Sequence, residues 1–350
     1  KINSVTLNKS NGLNDSLIIS SIPFADSSMN STPSFVFNSG VLVNNISDTL
    51  LISNPTFNVE LKPSSAIYLK QGRIHTKGNL TLFANSNITI DGGALDAGDN
   101  SNEHLLYQTG SRINLINGEI NISGGLIRQN PSSYPEINIS NNSIFRVGKI
   151  GNTTSDPSFD MRSVSSILNM NDGRIIVANA NPNAASDIEI NAENGTLLTA
   201  GTIQLGDSIF TNSSNEFKIA GSMPIYDLHL VSPINTNNYY SKIASLNFSI
   251  NHNIYINERQ LLNLNGNVIN LKGDLINYGS LNATPSASTT QPWRFLLNGP
   301  GDQYFKNFNL SIPDLEIYSL SINKNMGNLI LGDNDTTTNS SIKVNDNLEF

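Results

Sequence analysis

The sequence predicts an all-β protein and, within that class, a parallel β-solenoid (β-helix) with short strands and Asn- and Gly-rich corners. Three observations predict it: short apolar alternation, the lack of helical spacing, and long-range self-similarity. No window of about 12 residues, the length of an average helix, has a convincing i, i+3, i+4, i+7 apolar pattern. Short, evenly spaced strands also suit a sandwich, so self-similarity decides for the solenoid.

The strand signal is a period-two alternation that lasts four to six residues at a time. Leu80 and Leu82, then Ile88 and Ile90, follow it in "NLTLFANSNITI", and "INLINGEINI" from Ile113 repeats it. Asn-Gly, Gly-Gly, Asp-Gly or Asn-Asn pairs separate these runs, and such pairs are typical of tight turns. The chain therefore reads as many short strands joined by sharp corners.

Two passages share a longer pattern. "ILNMNDGRIIVAN" (167–179) and "LLNLNGNVINLKG" (261–273) both have an aliphatic residue, Leu-Asn, Leu or Met, and Asn before a Gly turn and another strand. Other passage pairs keep the offset of roughly 90 residues, too long for one coil, so each unit should contain several coils of about 20 to 25 residues. We expect two such units in 161–350, the last truncated, degenerate coils in 61–160, and an N-terminal cap or the end of a preceding module in 1–60.

Asparagine is the commonest polar residue, with 55 of the 350 positions. In stacked coils equivalent positions recur at strand spacing, about 4.8 Å, and side-chain amides can then bond to one another in a ladder. Asn also tolerates the left-handed backbone conformation that tight corners need. Nucleotide bias of a low-GC genome is the competing explanation for the excess.

Composition excludes several classes of protein. Only 14% of residues are charged and the net charge is −8, without a basic stripe, so nucleic acid is not an expected partner. The lack of cysteine rules out disulfides and thiolate sites. No apolar run reaches the length of a membrane span, roughly 18 residues or more, so the chain is not expected to be membrane-spanning. Both ends look like cuts in a longer polypeptide.

One acidic segment is a candidate site. "IDGGALDAGDNSNEH" contains Asp91, Asp96 and Asp99, followed by Glu103 and His104. These carboxylates suit a Ca²⁺ site or the acid pair of a glycosidase. The spacing follows neither the EF-hand nor the nonapeptide Ca²⁺ pattern, and the Gly-Gly pair with Asp also fits ordinary turn chemistry. Ca²⁺ is the only cofactor that the sequence suggests, and no catalytic residue is predicted.

Aromatic residues gather after an inserted loop near the C-terminus. Trp293 and Tyr304 are candidates for carbohydrate contact, because an exposed aromatic ring can pack against a sugar ring. In a solenoid, such a cluster, which here also includes Phe295, Phe305 and Phe308, is more often core filling or a lid over a coil. The sequence leaves both interpretations open.

The phrases "LNLNGNVINLKGDLINYGSLNA", "FLLNGPGDQYFKNFNL" and "IPDLEIYSLSINKNMGNLILGDN", followed by a new start at "IKVNDNLEF", resemble the repeats of large cell-surface proteins of Bacteroidota. The resemblance covers the 160–350 region clearly and the 1–110 region poorly. It implies export by the type IX secretion system, an extracellular position at the bacterial cell surface, and an adhesin role such as that of gliding-motility adhesins. It brings no catalytic residue.

We therefore expect a non-enzymatic structural or adhesive segment of a giant exported surface protein, a stalk or adhesin fibre. Its expected partners are polysaccharide or other surface ligands and neighbouring repeats of the same chain. The alternative is a carbohydrate-active β-helix enzyme or a polysaccharide-binding module. An ice- or mineral-binding face would need regular Thr or Asn rows, against which the irregular loop insertions argue.

Overall fold

A computed structural model describes residues 4–7, 17–19, 35–37, 40–44, 49–52, 58–192, 197–209, 216–231, 239–243, 247–265, 267–282, 295–309, 314–332 and 341–350. Before residue 58 only the course of the strands is described. Throughout these ranges the chain forms β-strands and no helix. Accordingly, the described part contains no helix of the length and apolarity that crossing a bilayer requires.

The strands are short and follow one another closely. In chain order they are β1 (Ser4–Leu7), β2 (Leu17–Ile19), β3 (Phe35–Phe37), β4 (Gly40–Asn44), β5 (Thr49–Ile52), β6 (Val59–Leu61), β7 (Ser65–Leu69), β8 (Arg73–Thr76), β9 (Leu80–Leu82), β10 (Asn87–Ala97), β11 (Leu105–Tyr107), β12 (Ser111–Ile122), β13 (Leu126–Arg128), β14 (Pro135–Ile139), β15 (Ile144–Val147), β16 (Phe159–Met161), β17 (Ile167–Met170), β18 (Arg174–Val177), β19 (Ile188–Ile190), β20 (Leu197–Leu198), β21 (Thr202–Leu205), β22 (Glu216–Gly221), β23 (Asp227–Leu230), β24 (Tyr239–Ile243), β25 (Asn247–Ile250), β26 (Ile254–Ile256), β27 (Gln260–Asn263), β28 (Val268–Leu271), β29 (Leu275–Asn277), β30 (Ser280–Asn282), β31 (Phe295–Leu297), β32 (Gln303–Asn307), β33 (Asp314–Ile322), β34 (Leu329–Leu331) and β35 (Ser341–Glu349).

These strands stack into three walls of a parallel β-solenoid, which confirms the predicted fold class. Wall 1 begins with the stack β1, β4, β7, β10, β12, β14, β17, β20, and a separate five-stranded sheet, β25, β28, β31, β33 and β35, follows, joined to Ile225 by an isolated bridge from Ile250. Wall 2 is the stack β2, β5, β8, β10, β12, β15, β18, β21, β23, β26, β29, β32, β34. Wall 3 is the stack β3, β6, β9, β11, β13, β16, β19, β22, β24, β27, β30.

Coil length varies more than the sequence suggests. Among the strands after β5, stacked partners are as close in sequence as Leu261 and Ser280, and as distant as Leu126 and Phe159. The coil length expected from the sequence therefore describes only the shorter coils. Loops at the corners absorb the extra residues, while the strands keep their register.

The core is the space that the three walls enclose. Alternate strand residues point inward, so that Ile67 and Leu69 of β7 are buried and Tyr68 between them is only half-buried. Phe145 on wall 2 meets Phe159 on wall 3 edge-to-face, with ring centroids 5.6 Å apart. Each fully buried aliphatic or aromatic side chain stabilises the fold by roughly 1.5–3 kcal/mol.

Asparagine and glycine form corners as the sequence predicts. Asn85 and Asn265 have φ values of 59° and 51°, in the left-handed region that Asn tolerates. Gly93, with φ of 80°, is required, because a Cβ there would lie 2.2 Å from the carbonyl oxygen of Gly72. The corner between walls 1 and 2 in β10 thus depends on glycine, whereas the corners at Asn85 and Asn265 use asparagine.

The predicted asparagine ladder is present. On the outer face of wall 1, the side-chain amide of Asn138 donates to Asn114 at 2.8 Å, and that of Asn169 donates to Asn138 at 2.8 Å. A second pair faces inward at the end of wall 2, where Asn277 donates to Asn307 at 2.9 Å. The longer ladder thus lies on an outer face, and the shorter one is buried.

We expect Asn138→Ala to lower the free energy of unfolding by about 1–2 kcal/mol, since it removes a donor and an acceptor from the ladder. Asn323→Ala is the matched control, because that side chain is exposed, and its effect should stay within about 0.5 kcal/mol. Denaturant titration of both variants measures the difference. Equal effects would show that the ladder contributes nothing.

Strand pairs cross both predicted domain boundaries: β4 pairs with β7 and β14 pairs with β17. The two matched passages lie on different walls, since Ile167–Met170 belongs to wall 1 and Gln260–Asn263 to wall 3. Their similarity therefore reflects a common strand-and-corner pattern. The boundaries at 60 and 160 stay predictions.

Candidate functional site

A groove of about 470 Å³ runs along the corner between walls 1 and 2, where it crosses the coils of β15, β18, β21 and β23. We call it the corner groove. The lining residues that carry its chemistry are Asp172, Gly173, Arg174, Gly201, Tyr226 and Asp227.

Two successive corners that line the groove are glycines. Gly173 precedes β18 and Gly201 precedes β21, and the next corner position along the stack is Tyr226. Gly173 and Gly201 have φ values of 86° and 94°. A Cβ at Gly173 would lie 2.6 Å from the carbonyl oxygen of Ser143, so glycine is required there. A Cβ at Gly201 would lie 2.8 Å from the Met170 side chain, so both glycines bring bare backbone to the groove beside the ring of Tyr226.

One end of the groove is an aromatic wall. The ring of Tyr226 stacks on that of His252 in the next coil, with centroids 4.6 Å apart and planes inclined by 22°. His252 Nδ1 lies 2.8 Å from Asp227 Oδ1, which also accepts the backbone N–H of Asn253 at 2.8 Å. Because the ring stacks on the coil that follows, its other face points towards Gly201. These contacts fix both Tyr226 and Asp227 in place.

The polar groups of the groove include both hydrogen-bond acceptors and donors. Asp172 accepts the backbone N–H groups of Asn142 at 3.0 Å and Gly173 at 2.7 Å. The exposed guanidinium of Arg174 has no hydrogen-bond or ion-pair partner among the described residues. Its positive charge adds to burial in lowering the pKa of the nearby His229 imidazole. The groove can therefore accept and donate hydrogen bonds beside an aromatic face.

The structure places two of the predicted Ca²⁺ ligands at different parts of the coil. Asp91 is exposed at the corner of walls 1 and 2, and accepts the hydroxyl of Tyr68 at 3.1 Å. Asp96 is buried on the outer face of wall 2, where it pairs with Arg73 and accepts the amide of Asn121 at 3.0 Å. Each carboxylate thus has a protein partner of its own.

The third predicted ligand, Asp99, lies beside a histidine and a lysine. Asp99 lies 2.7 Å from His75 Nε2 and 3.7 Å from Lys77 Nζ. Glu103 accepts the backbone N–H of the loop before it, and His104 is buried, its Nδ1 accepting a backbone N–H. Within the described ranges no three His, Asp or Glu side chains converge as a metal site. The Ca²⁺ site stays a prediction.

The aromatic cluster separates into core and surface. Phe295 and Phe305 are buried and meet edge-to-face, with centroids 5.7 Å apart, so they fill the core. Tyr304 is half-buried on the outer face of wall 2, and Lys306 Nζ lies 5.1 Å from its ring centroid. Trp293 lies outside the described residues. Carbohydrate contact by Trp293 and Tyr304 stays a prediction.

A buried cluster of charges lies on wall 3. The carboxylate of Asp160 accepts from Arg162 at 2.9 and 2.7 Å and lies 3.4 Å from Arg128. The hydrogen bond to Asp160 raises the pKa of the Arg162 guanidinium. Asp156 pairs with the same guanidinium. The cluster ties the loop before β16 to its wall, and every charge in it faces an opposite charge.

Asp187, directly before β19, is a buried carboxylate with a raised pKa. Burial raises the pKa of Asp187 from 3.8 to about 7, although the backbone N–H groups of Asn181 and Lys218 donate to it. Between pH 4 and pH 7 the unfolded chain therefore binds fewer protons than the folded chain, and stability should fall as pH rises, by at most about 1.4 kcal/mol per pH unit. The loss is complete about one pH unit above the raised pKa of Asp187, where the folded chain has also released the proton.

Asp187→Asn should flatten this part of the profile, since the amide does not titrate. Denaturant titrations of both proteins from pH 4 to pH 8 measure the difference. A variant whose stability still falls in parallel with that of the native chain would contradict the assignment to Asp187.

Sequence reasoning missed the corner groove. The signal that could have found it is the register of three corner pairs, Gly173-Arg174, Gly201-Thr202 and Tyr226-Asp227, each directly before or at the start of a wall 2 strand. The two spacings between these pairs differ, so the pairs align only when the strands are paired.

Comparison of the chain with protein-family models, curated proteins and solved structures gives no match. The functional argument therefore depends on the fold and on the geometry of the groove.

Proposed function

We propose that this chain is a structural and adhesive segment of a giant exported bacterial cell-surface protein, a stalk or adhesin fibre of the kind that serves gliding cells. The observation that carries the proposal is the parallel stack itself, in which strands of successive coils pair along three walls, as far as β34 on wall 2 and β30 on wall 3. In such a stack stability adds up coil by coil, so length can grow without a larger core.

The surface of the stack suits adhesion through many weak contacts. Few residues are charged, and amide side chains such as Asn114 and Asn138 stand on the outer face of wall 1. An amide both donates and accepts hydrogen bonds, as sugar hydroxyls do. Repetition along a long chain multiplies weak contacts into avidity.

The test compares beads that carry one copy of the chain with beads that carry many, on polysaccharide-coated and on bare surfaces. The proposal expects retention under washing to rise by roughly two orders of magnitude with copy number, because later contacts are intramolecular. Beads without protein are the control. Loss of all beads at every density, on every surface, would contradict adhesion.

One observation favours a second candidate, a carbohydrate-active enzyme. Asp172 and Asp227 line the same groove, and glycosidases act through a pair of carboxylates. Release of reducing ends from polysaccharides, lost in Asp227→Asn, would establish this function. Turnover that survives the substitution would exclude this pair.

A further inference from the structure

We infer that the corner groove binds a segment of neutral polysaccharide, with one sugar ring against the free face of Tyr226 and above the bare corners of Gly173 and Gly201. This inference rests on the proposed adhesive function, for which it names the site and the ligand class.

The shape of the groove supports a flat, ring-shaped ligand. Tyr226 presents one ring face to the groove because its other face is covered by His252. Beside that free face, Gly201 carries no side chain, and backbone strain together with close contacts keeps larger residues out of this position. A pyranose has an apolar face of C–H groups that can pack on an aromatic ring, and tyrosine offers such a surface with a polar tip.

The polar groups match hydroxyls better than ions. Asp172 and Asp227 bring two carboxylates, and Arg174 brings one guanidinium. Carboxylates accept hydrogen bonds from hydroxyl groups, and a guanidinium donates up to five. A uronate polymer would meet two like charges and one opposite charge, which lowers its affinity. A neutral saccharide can use all three groups without that repulsion.

The site is also organised before a ligand binds. His252 holds both the Tyr226 ring and the Asp227 carboxylate, and the backbone N–H of Asn253 fixes the same carboxylate. Fixed groups lose little conformational entropy on binding, which helps a shallow groove to reach measurable affinity. The exposed side chain of Arg174 can adapt to hydroxyls of different sugars.

The experiment is affinity electrophoresis of the whole chain in native gels that contain β-glucan, xylan, mannan, alginate or polygalacturonate. We expect retardation by at least one of the three neutral polymers, stronger than by the two uronate polymers. Tyr226→Ala and Arg174→Ala should each raise the dissociation constant by about tenfold, as expected when a central aromatic or arginine contact is lost.

Tyr278→Ala is the matched control. Tyr278 is 45% exposed and stacks on Phe308 in the next coil, with centroids 4.6 Å apart, but it does not line the groove. Its substitution should leave retardation unchanged, and thermal unfolding of all three variants verifies the fold.

Three results would overturn the inference: no binding of any neutral polymer, stronger binding of uronates, or full affinity in Tyr226→Ala. If beads nevertheless adhere to bare surfaces, the adhesive function stands and only the groove assignment fails.

Discussion

Phe145→Ala should lower the free energy of unfolding by about 3–5 kcal/mol, the usual cost of truncating a buried aromatic ring. Phe145 is fully buried at the meeting of walls 2 and 3, and its ring touches that of Phe159 edge-to-face. Strand pairing holds β15 between β12 and β18, so the walls cannot close the gap by moving together. The cavity therefore remains open, and the free energy of unfolding falls by the full amount.

Denaturant titration measures this loss. Ile150→Ala is the matched control, because Ile150 lies only a few residues away but is 52% exposed, and its effect should stay within about 0.5 kcal/mol. A loss below about 1 kcal/mol in Phe145→Ala would mean that the three walls do not enclose the core as described.

Asp160→Ala should cost about 3–5 kcal/mol, as expected when one partner of a buried ion pair is removed. The substitution leaves Arg128 without its carboxylate and Arg162 with Asp156 alone. The side chain of Asp160 is fully buried, so water cannot replace it without opening the loop.

Glu136→Ala is the control for this second loss. Glu136 pairs with Arg112 at 2.9 Å on the outer face of wall 1, where the arginine side chain is 63% exposed. Exposed ion pairs contribute at most about 1 kcal/mol, because water and salt screen them. Similar losses from the two substitutions, in matched denaturant titrations, would contradict the burial of the wall 3 cluster.

Periodicity predicted the strands, because alternation reports directly which residues face a core. "NLTL" and "NITI" became β9 and the start of β10, with their aliphatic residues inward. The ladder followed from amide chemistry at strand spacing. The wall to which a strand belongs could not be predicted, since a period of two is the same on every wall. Asn169 and Asn263 therefore look alike in sequence but lie on different walls.

The corner groove and the charge cluster escaped prediction for a related reason. Gly201 and Tyr226 are neighbours in space because the chain between them makes one turn of the solenoid. The turn between Gly173 and Gly201 contains more residues. Arg128 and Asp160 likewise meet across coils whose connecting loop is irregular. Contacts between coils depend on loop lengths that leave no local signal. The acidic segment from Asp91 did have a local signal, namely closely spaced carboxylates. Turn chemistry explains much of that spacing.

Parallel stacking of coils is the central claim, and distances between spin labels test it most directly, because the chain has no native cysteine. Arg73 and Arg174 are four coils apart in the column that runs through Ala94, Glu119 and Ile144. Labels at Arg73→Cys and Arg174→Cys should therefore lie about 19 Å apart at a coil spacing of about 4.8 Å.

Moving the second label from Arg174 to Thr202, its partner in the next coil, should lengthen the distance by only about 5 Å, although a whole coil of chain lies between the two positions. A distance that grows with the number of residues instead of the number of coils would contradict the solenoid.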